Sequence, residues 1–151
     1  MVMNEHTVGR PMEILLVEDG LTDARLVIEG LKKGGFRHRV TLVRDGAEAL
    51  EFVGKQGRFA RAPRPDIILL DLYLPKHNGM VVLSQLKNDC DLKSIPVVIM
   101  TSSDASEDRD GCELLQVDSF IKKPFGMQAF LQVVRELKRH LLSDVILPAM
   151  D

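Results

Sequence analysis

A chain of 151 residues with 45% hydrophobic and 28% charged side chains suits one globular domain that can bury its own core without a disulfide or a metal staple. Its formal net charge of -2 gives no electrostatic reason to bind nucleic acid or an anionic membrane, and no apolar run reaches the about 18 residues that a membrane helix needs. Cys90 and Cys112 lie far apart and the histidines (His6, His38, His77, His140) are scattered, so a disulfide framework and a zinc site are both excluded from the expectations; the reading is a reduced, cytoplasmic protein.

The opening stretch 1–11, MVMNEHTVGRP, lacks the apolar core of a signal peptide and reads as a disordered lead-in. MEILLVEDG (Met12–Gly20) is a short apolar run that stops at two acids and a glycine, as a strand buried on both faces does. Ala24, Val27, Ile28 and Leu31 then fall at i, i+3, i+4 and i+7, one stripe of an amphipathic helix that Thr22 should begin and Gly34-Gly35 should end. HRVTLVRDG is a second strand, more polar, as suits a sheet edge. Asp45 with Glu48 resembles a capping box that opens a helix through Val53, and GKQGRFARAPRP is a loop. Asp66–Leu70 is a third buried strand that runs into Asp71. LPKHNG turns the chain, and Val82, Leu83 and Leu86 give the inner face of the next helix. IPVVIMTSS is a fourth buried strand, Asp104–Gln116 a weak polar helix with Gly111 inside it, and VDSFIKKP a short fifth strand. Phe130, Leu131, Val134 and Leu141 mark a long final helix, which closes a domain over 12–142 and leaves 143–151 as an apolar tail.

Strands alternating with helices predict an α/β fold: a doubly wound, five-stranded parallel sheet of order 2-1-3-4-5, flavodoxin-like, with the more polar second strand at an edge. Ligands of such sheets bind beyond the carboxyl ends of the strands. Those ends carry Glu18-Asp19, Asp71, Thr101-Ser102 and Lys122-Lys123-Pro124. In the expected order the first and third strands are neighbours, so Glu18, Asp19 and Asp71 should converge. Three close carboxylates repel unless a cation joins them, and Mg2+ suits one or two carboxylates, several waters and a phosphate oxygen. A metal, a lysine and a hydroxyl could each hold one equatorial oxygen of a phosphoryl group in transfer, with Asp71 as the nucleophile and an acyl phosphate as the product. Taken singly, each residue has an ordinary explanation: Asp71 and Glu18-Asp19 as turn residues, Thr101 as a cap, Lys123 as a surface lysine, Phe120 as core. The coincidence of all four strand ends is what carries weight.

LLVEDG, DIILLDLYLP-x-x-x-G, VVIMTSS and FIKKPF, in that order, resemble the receiver domains of two-component response regulators, the CheY-like family, from about Met12 to Leu142. The resemblance implies that Asp71 accepts a phosphoryl group from a sensor histidine kinase. Glu18 and Asp19 correspond to the acid pair, with Asp19 the direct Mg2+ ligand, and Glu18, Asp19, Asp71 and the Tyr73 carbonyl together to the metal site. Thr101 corresponds to the hydroxyl that follows the phosphoryl group, Lys123 to the phosphate-binding lysine, Phe120 to the aromatic that changes rotamer, and Pro124 to a cis-proline. The chain would be a phosphoacceptor rather than an enzyme, without organic cofactor or output domain. It would signal through an unknown downstream protein, with no nucleic acid and no membrane involved. The apolar tail would serve a homodimer or close the domain's own core. Gly20 departs from the Asn or Asp common after the acid pair. Tyr73, two residues after the acceptor, lies where attacking water would pass. GRFARAPRPD and LKNDCDLKSIPVV look like the single-domain regulators paired with phytochrome-type kinases. Three other readings are weaker. A flavin or nucleotide binder needs a phosphate loop where EDGLTD stands. An aspartate-nucleophile phosphatase needs an acid where Tyr73 stands. A pseudo-receiver would not keep Asp71, Thr101 and Lys123.

Overall fold

The computed structural model describes residues 10–34, 37–74, 78–102, 105–117, 119–123 and 126–141. Strands β1 (Met12–Val17), β2 (His38–Val43), β3 (Ile67–Asp71), β4 (Val97–Thr101) and β5 (Ser119–Lys122) form one parallel sheet in the order β2-β1-β3-β4-β5. Between and after them run α1 (Leu21–Lys33), α2 (Gly46–Val53), α3 (Gly79–Lys87), α4 (Ser106–Leu114) and α5 (Met127–Leu141). The predicted order and the edge position of β2 both hold. The loop after α2 contains one short 3-10 turn, Gly57–Phe59.

The apolar runs lack polar alternation because both faces of the sheet are covered, and alternate residues feed opposite layers. Leu15, Val17, Ile68, Leu70, Val97 and Ile99 pack with Phe52 of α2, Leu83 of α3 and Cys112 of α4. Ile14, Leu16, Ile67, Leu69, Val98 and Met100 pack with Ala24, Val27 and Leu31 of α1 and Phe130 and Leu131 of α5. The stripe expected on α1 is therefore the buried one, with Ile28 at its margin; the side chains of Val134 and Leu141 lie outside the described residues.

Helix ends differ in detail from expectation. Thr22 does not begin α1: Gly20 is the cap, in extended conformation and without a side-chain cap bond, and its carbonyl accepts the Ala24 N–H at 2.9 Å. Gly34 ends α1 as expected, its N–H reaching the Gly30 and Leu31 carbonyls. Asp45 Oδ1 accepts the Glu48 N–H at 2.8 Å, while Glu48 Oε1 accepts from Arg44 N at 2.9 Å, so the box reaches back one residue further than its usual form. Asn78 Oδ1 caps α3 through the Val81 N–H at 3.1 Å. The lead-in ends in a contact: the Arg10 guanidinium sits bidentate on Asp66 at 2.6 and 2.7 Å, and Asp66 also accepts the Glu13 N–H.

Two glycines mark close approaches. A Cβ on Gly79 would stand 2.4 Å from Leu72 Cα and 2.5 Å from the Asp71 carbonyl oxygen, and its N–H bonds Leu72 O at 2.7 Å. Backbone cannot yield there, so Gly79→Ala should cost about 3 kcal/mol, read as a lowered urea midpoint; an unchanged midpoint would contradict this packing. At Gly111, taken from sequence as a sign of weak helix, a Cβ would meet Met80 Cε of α3 at 2.8 Å, the far end of a flexible side chain that can move aside.

Next to it, Cys112 is buried. Burial, and then the charge of Asp108, push its thiol up to about 11. Cys90 is exposed. A maleimide should label the native protein once, at Cys90, and twice only after denaturation; rapid native labelling of Cys112 would contradict its burial.

Candidate functional site

The sheet order reverses between β1 and β3, and their paired residues Val17 and Leu70 set Glu18 and Asp71 side by side at the carboxyl end. Glu18 extends the pairing, its N–H donating to Val43 O at 3.0 Å, so its side chain turns inward and only 2% of the residue is exposed. Asp71 is 8% exposed. Beyond β5, the Lys123 N–H donates to Thr101 O at 2.7 Å, which continues the β4–β5 pairing and aims the Lys123 side chain across the strand ends.

The Lys123 ammonium donates to Glu18 Oε1 at 2.6 Å, Asp23 Oδ2 at 2.9 Å and Asp71 Oδ2 at 3.1 Å. An ammonium has three N–H donors, so all are engaged. The other Asp71 oxygen, Oδ1, accepts the Tyr73 N–H at 3.1 Å, and Glu18 Oε2 accepts the Gly20 N–H at 3.2 Å. Burial draws the Lys123 pKa down. Hydrogen bonds to Glu18 and Asp23, with the charges of Asp71 and Glu18, outweigh it and hold Lys123 above the ordinary lysine value. Burial lifts the Glu18 carboxyl above its ordinary value; Asp71 adds to the lift, and the Lys123 bond opposes it. The pocket thus carries more negative charge than one lysine balances.

Of the expected acids, Glu18 and Asp71 meet and Asp19 stands apart. Its side chain is 54% exposed and faces Arg44, 3.8 Å from Oδ1, while Arg44 also donates to the Asp19 carbonyl at 2.8 Å. Adjacent residues in extended chain point to opposite sides, so Glu18 inward means Asp19 outward. The third carboxylate on Lys123 is Asp23, from the first turn of α1, which the sequence reading passed over. An acid five residues after Glu18, at a helix start, was the available signal. Among the described residues no three Asp, Glu, His or Cys side chains stand ready-made as a metal cluster. The donors nevertheless fit a small hard cation in kind. Asp71 and Asp19 offer carboxylate oxygens, and Asp19 is exposed enough to turn from Arg44.

Thr101 ends β4 and is fully buried. Phe120 is half-buried under the Arg109 guanidinium, 5.2 Å from its ring centre, beside a cleft of ≈ 180 Å³ between α4 and β5. Tyr73 is 59% exposed, and its hydroxyl donates to Asp108 Oδ2 of α4 at 2.5 Å. The ring therefore reaches toward α4, a contact not foreseen from sequence. Pro124, expected in cis, lies outside the described residues.

Known proteins share this fold. The family model for the response regulator receiver domain matches residues 14–135. The chain is 40% identical over 139 residues to response regulator Rcp1 of Synechocystis sp., covering 92% of this chain and 95% of that one. Among solved structures it resembles the Mn2+-bound form of Rcp1, with 40% identity, coverage of 92% and 100%, and a TM-score of 0.77. It also resembles the phosphorylated cyanobacterial phytochrome response regulator RcpA, with 39% identity, coverage of 93% and 100%, and a TM-score of 0.78.

Proposed function

Because this chain belongs to the response regulator receiver family of two-component signalling, we propose that Asp71 takes a phosphoryl group from a sensor histidine kinase in a Mg2+-dependent reaction. The supporting observation is the placement of Asp71 between a partly buried lysine ammonium at 3.1 Å and a backbone N–H at 3.1 Å, with a fully buried threonine at the neighbouring strand end. A carboxylate oxygen of Asp71 forms the new P–O bond while the P–N bond to the kinase histidine breaks, its electron pair staying on the imidazole. No proton has to leave the nucleophile. Lys123 keeps Glu18 and donates to a phosphoryl oxygen. Asp19, Asp71 and the Tyr73 carbonyl would hold Mg2+, which supplies positive charge to the phosphoryl oxygens when bound.

The modified Asp71 carries about -1.5 to -2 charge. The Thr101 hydroxyl turns toward the new oxygens, and Phe120 moves into the space this leaves, which changes the surface of α4, β5 and α5 offered to a downstream protein or a second copy. Arg109, stacked on Phe120, makes the outer surface sense that move. Likeness to RcpA favours a phytochrome-type kinase as the donor, and we place the exchange in the cytoplasm. No described helix is long and apolar enough to cross a membrane. Tyr73 stands two residues after Asp71 and its backbone N–H bonds Asp71 Oδ1, so Tyr73→Ala should change the rate at which phosphate is lost; equal loss from both proteins would refute this.

Incubation with acetyl phosphate, with and without Mg2+, read by intact mass, tests the proposal. One labile phosphoryl adduct should form with the metal present. No adduct under either condition would overturn it.

A further inference from the structure

We propose that Asp23 is a positioning residue for phosphoryl transfer: in the unmodified protein its carboxylate restrains the Lys123 ammonium, and it is the partner Lys123 releases when the phosphoryl group arrives. This rests on the reading of Asp71 as the acceptor. Lys123 has three donors and three carboxylate partners, so it cannot reach a phosphoryl oxygen without surrendering one of them. The three are not equal. Glu18 gives the shortest bond, 2.6 Å, and is sealed from water, so losing its cation would leave a buried charge unpaired. Asp71 is the nucleophile, and its bond to Lys123 is lost only as the new P–O bond takes up its charge, after the ammonium has met the incoming group. The Asp23 side chain is 49% exposed, and water can take over its hydrogen bonds at little cost.

The attachment points differ as well. Glu18 and Asp71 lie at the ends of neighbouring central strands, whereas Asp23 belongs to the first turn of α1. Its bond, at 2.9 Å, is shorter than the one to Asp71, at 3.1 Å, so it competes for the ammonium from the solvent side. Asp23 thus acts through Lys123 and has no contact with the reacting oxygen. Releasing it is part of the barrier, and removing its charge lowers that barrier.

The test uses the full chain with saturating Mg2+ and acetyl phosphate, so that altered metal affinity does not enter. Asp23→Asn should raise the first-order rate of adduct formation about threefold, with thermal melting unchanged, the size expected for a half-exposed ion pair. A contact effect and a general repulsion of the anionic donor separate by salt. The contact effect persists at about 1 M NaCl, where the Debye length is roughly 3 Å, and a field effect is screened away. Wild type and variant reacting at equal rates, a slower variant, or an enhancement that vanishes in high salt would each overturn the role of Asp23. Failure of the wild type to form any adduct would instead overturn the reading of Asp71, which keeps the two failures apart.

Discussion

Asp71→Asn should form no phosphoryl adduct, a loss of at least about a hundredfold in rate, because an amide has no anionic oxygen to attack phosphorus. The substitution is nearly isosteric, so the amide oxygen can still accept the Tyr73 N–H that holds Asp71 Oδ1 at 3.1 Å. Electrostatics favour the folded variant. Asp71 is one of the causes that lift the Glu18 carboxyl, and its neutralisation leaves Lys123 shared between Glu18 and Asp23 alone. The variant should therefore fold with undiminished stability while losing the reaction. That pairing separates a chemical role from a structural one. A variant that still forms the adduct at the wild-type rate would move the acceptor to another residue.

Lys123→Met should cost about 2 kcal/mol of stability near neutral pH, less than a fully buried ion pair because Asp23 is half exposed. Met keeps the length of the side chain and removes the charge, leaving Glu18 and Asp71 facing each other. In the wild type the Lys123 pKa is raised in the folded state, so its contribution is complete below the ordinary lysine value and is lost only as pH rises through the folded value. The neutral range is therefore flat with respect to Lys123. Glu18 has the opposite sense to a typical paired acid. Its raised carboxyl favours the folded state while protonated, and this advantage disappears as pH rises through its folded value. Without the lysine that carboxyl rises further, so the deficit of Lys123→Met should shrink between about pH 7 and about pH 5 as Glu18 takes up a proton. Urea unfolding of both proteins at the two pH values measures it. An equal deficit at both would mean that Lys123 does not neutralise a buried acid. Phosphorylation should be impaired in parallel, since the variant offers no cation to the phosphoryl oxygens.

The fold was legible because its signals are local. Ile14–Val17, Ile67–Leu70 and Val97–Met100 are unbroken apolar runs, which only a sheet covered on both faces tolerates, and β2 carries the polar residues of an edge. Chain order then placed Glu18, Asp71, Thr101 and Lys123 at one end of the sheet. What escaped depends on how far single side chains reach between segments distant in sequence. Asp19 turning to Arg44, Asp23 reaching Lys123 and Tyr73 reaching Asp108 are choices of half-exposed rotamers, and no periodicity records them. Thr22 failed as a helix start because the first intrahelical bond already runs from the Ala24 N–H to the Gly20 carbonyl, two residues earlier.

The most direct measurement is chemical trapping of the acyl phosphate. Borohydride reduces a phosphorylated aspartate to homoserine, and peptide sequencing by mass spectrometry then locates the altered residue. After acetyl phosphate and Mg2+, homoserine should appear at position 71 and at no other acid. Homoserine at position 19 or 23, or a phosphoryl group carried by a histidine, would contradict it.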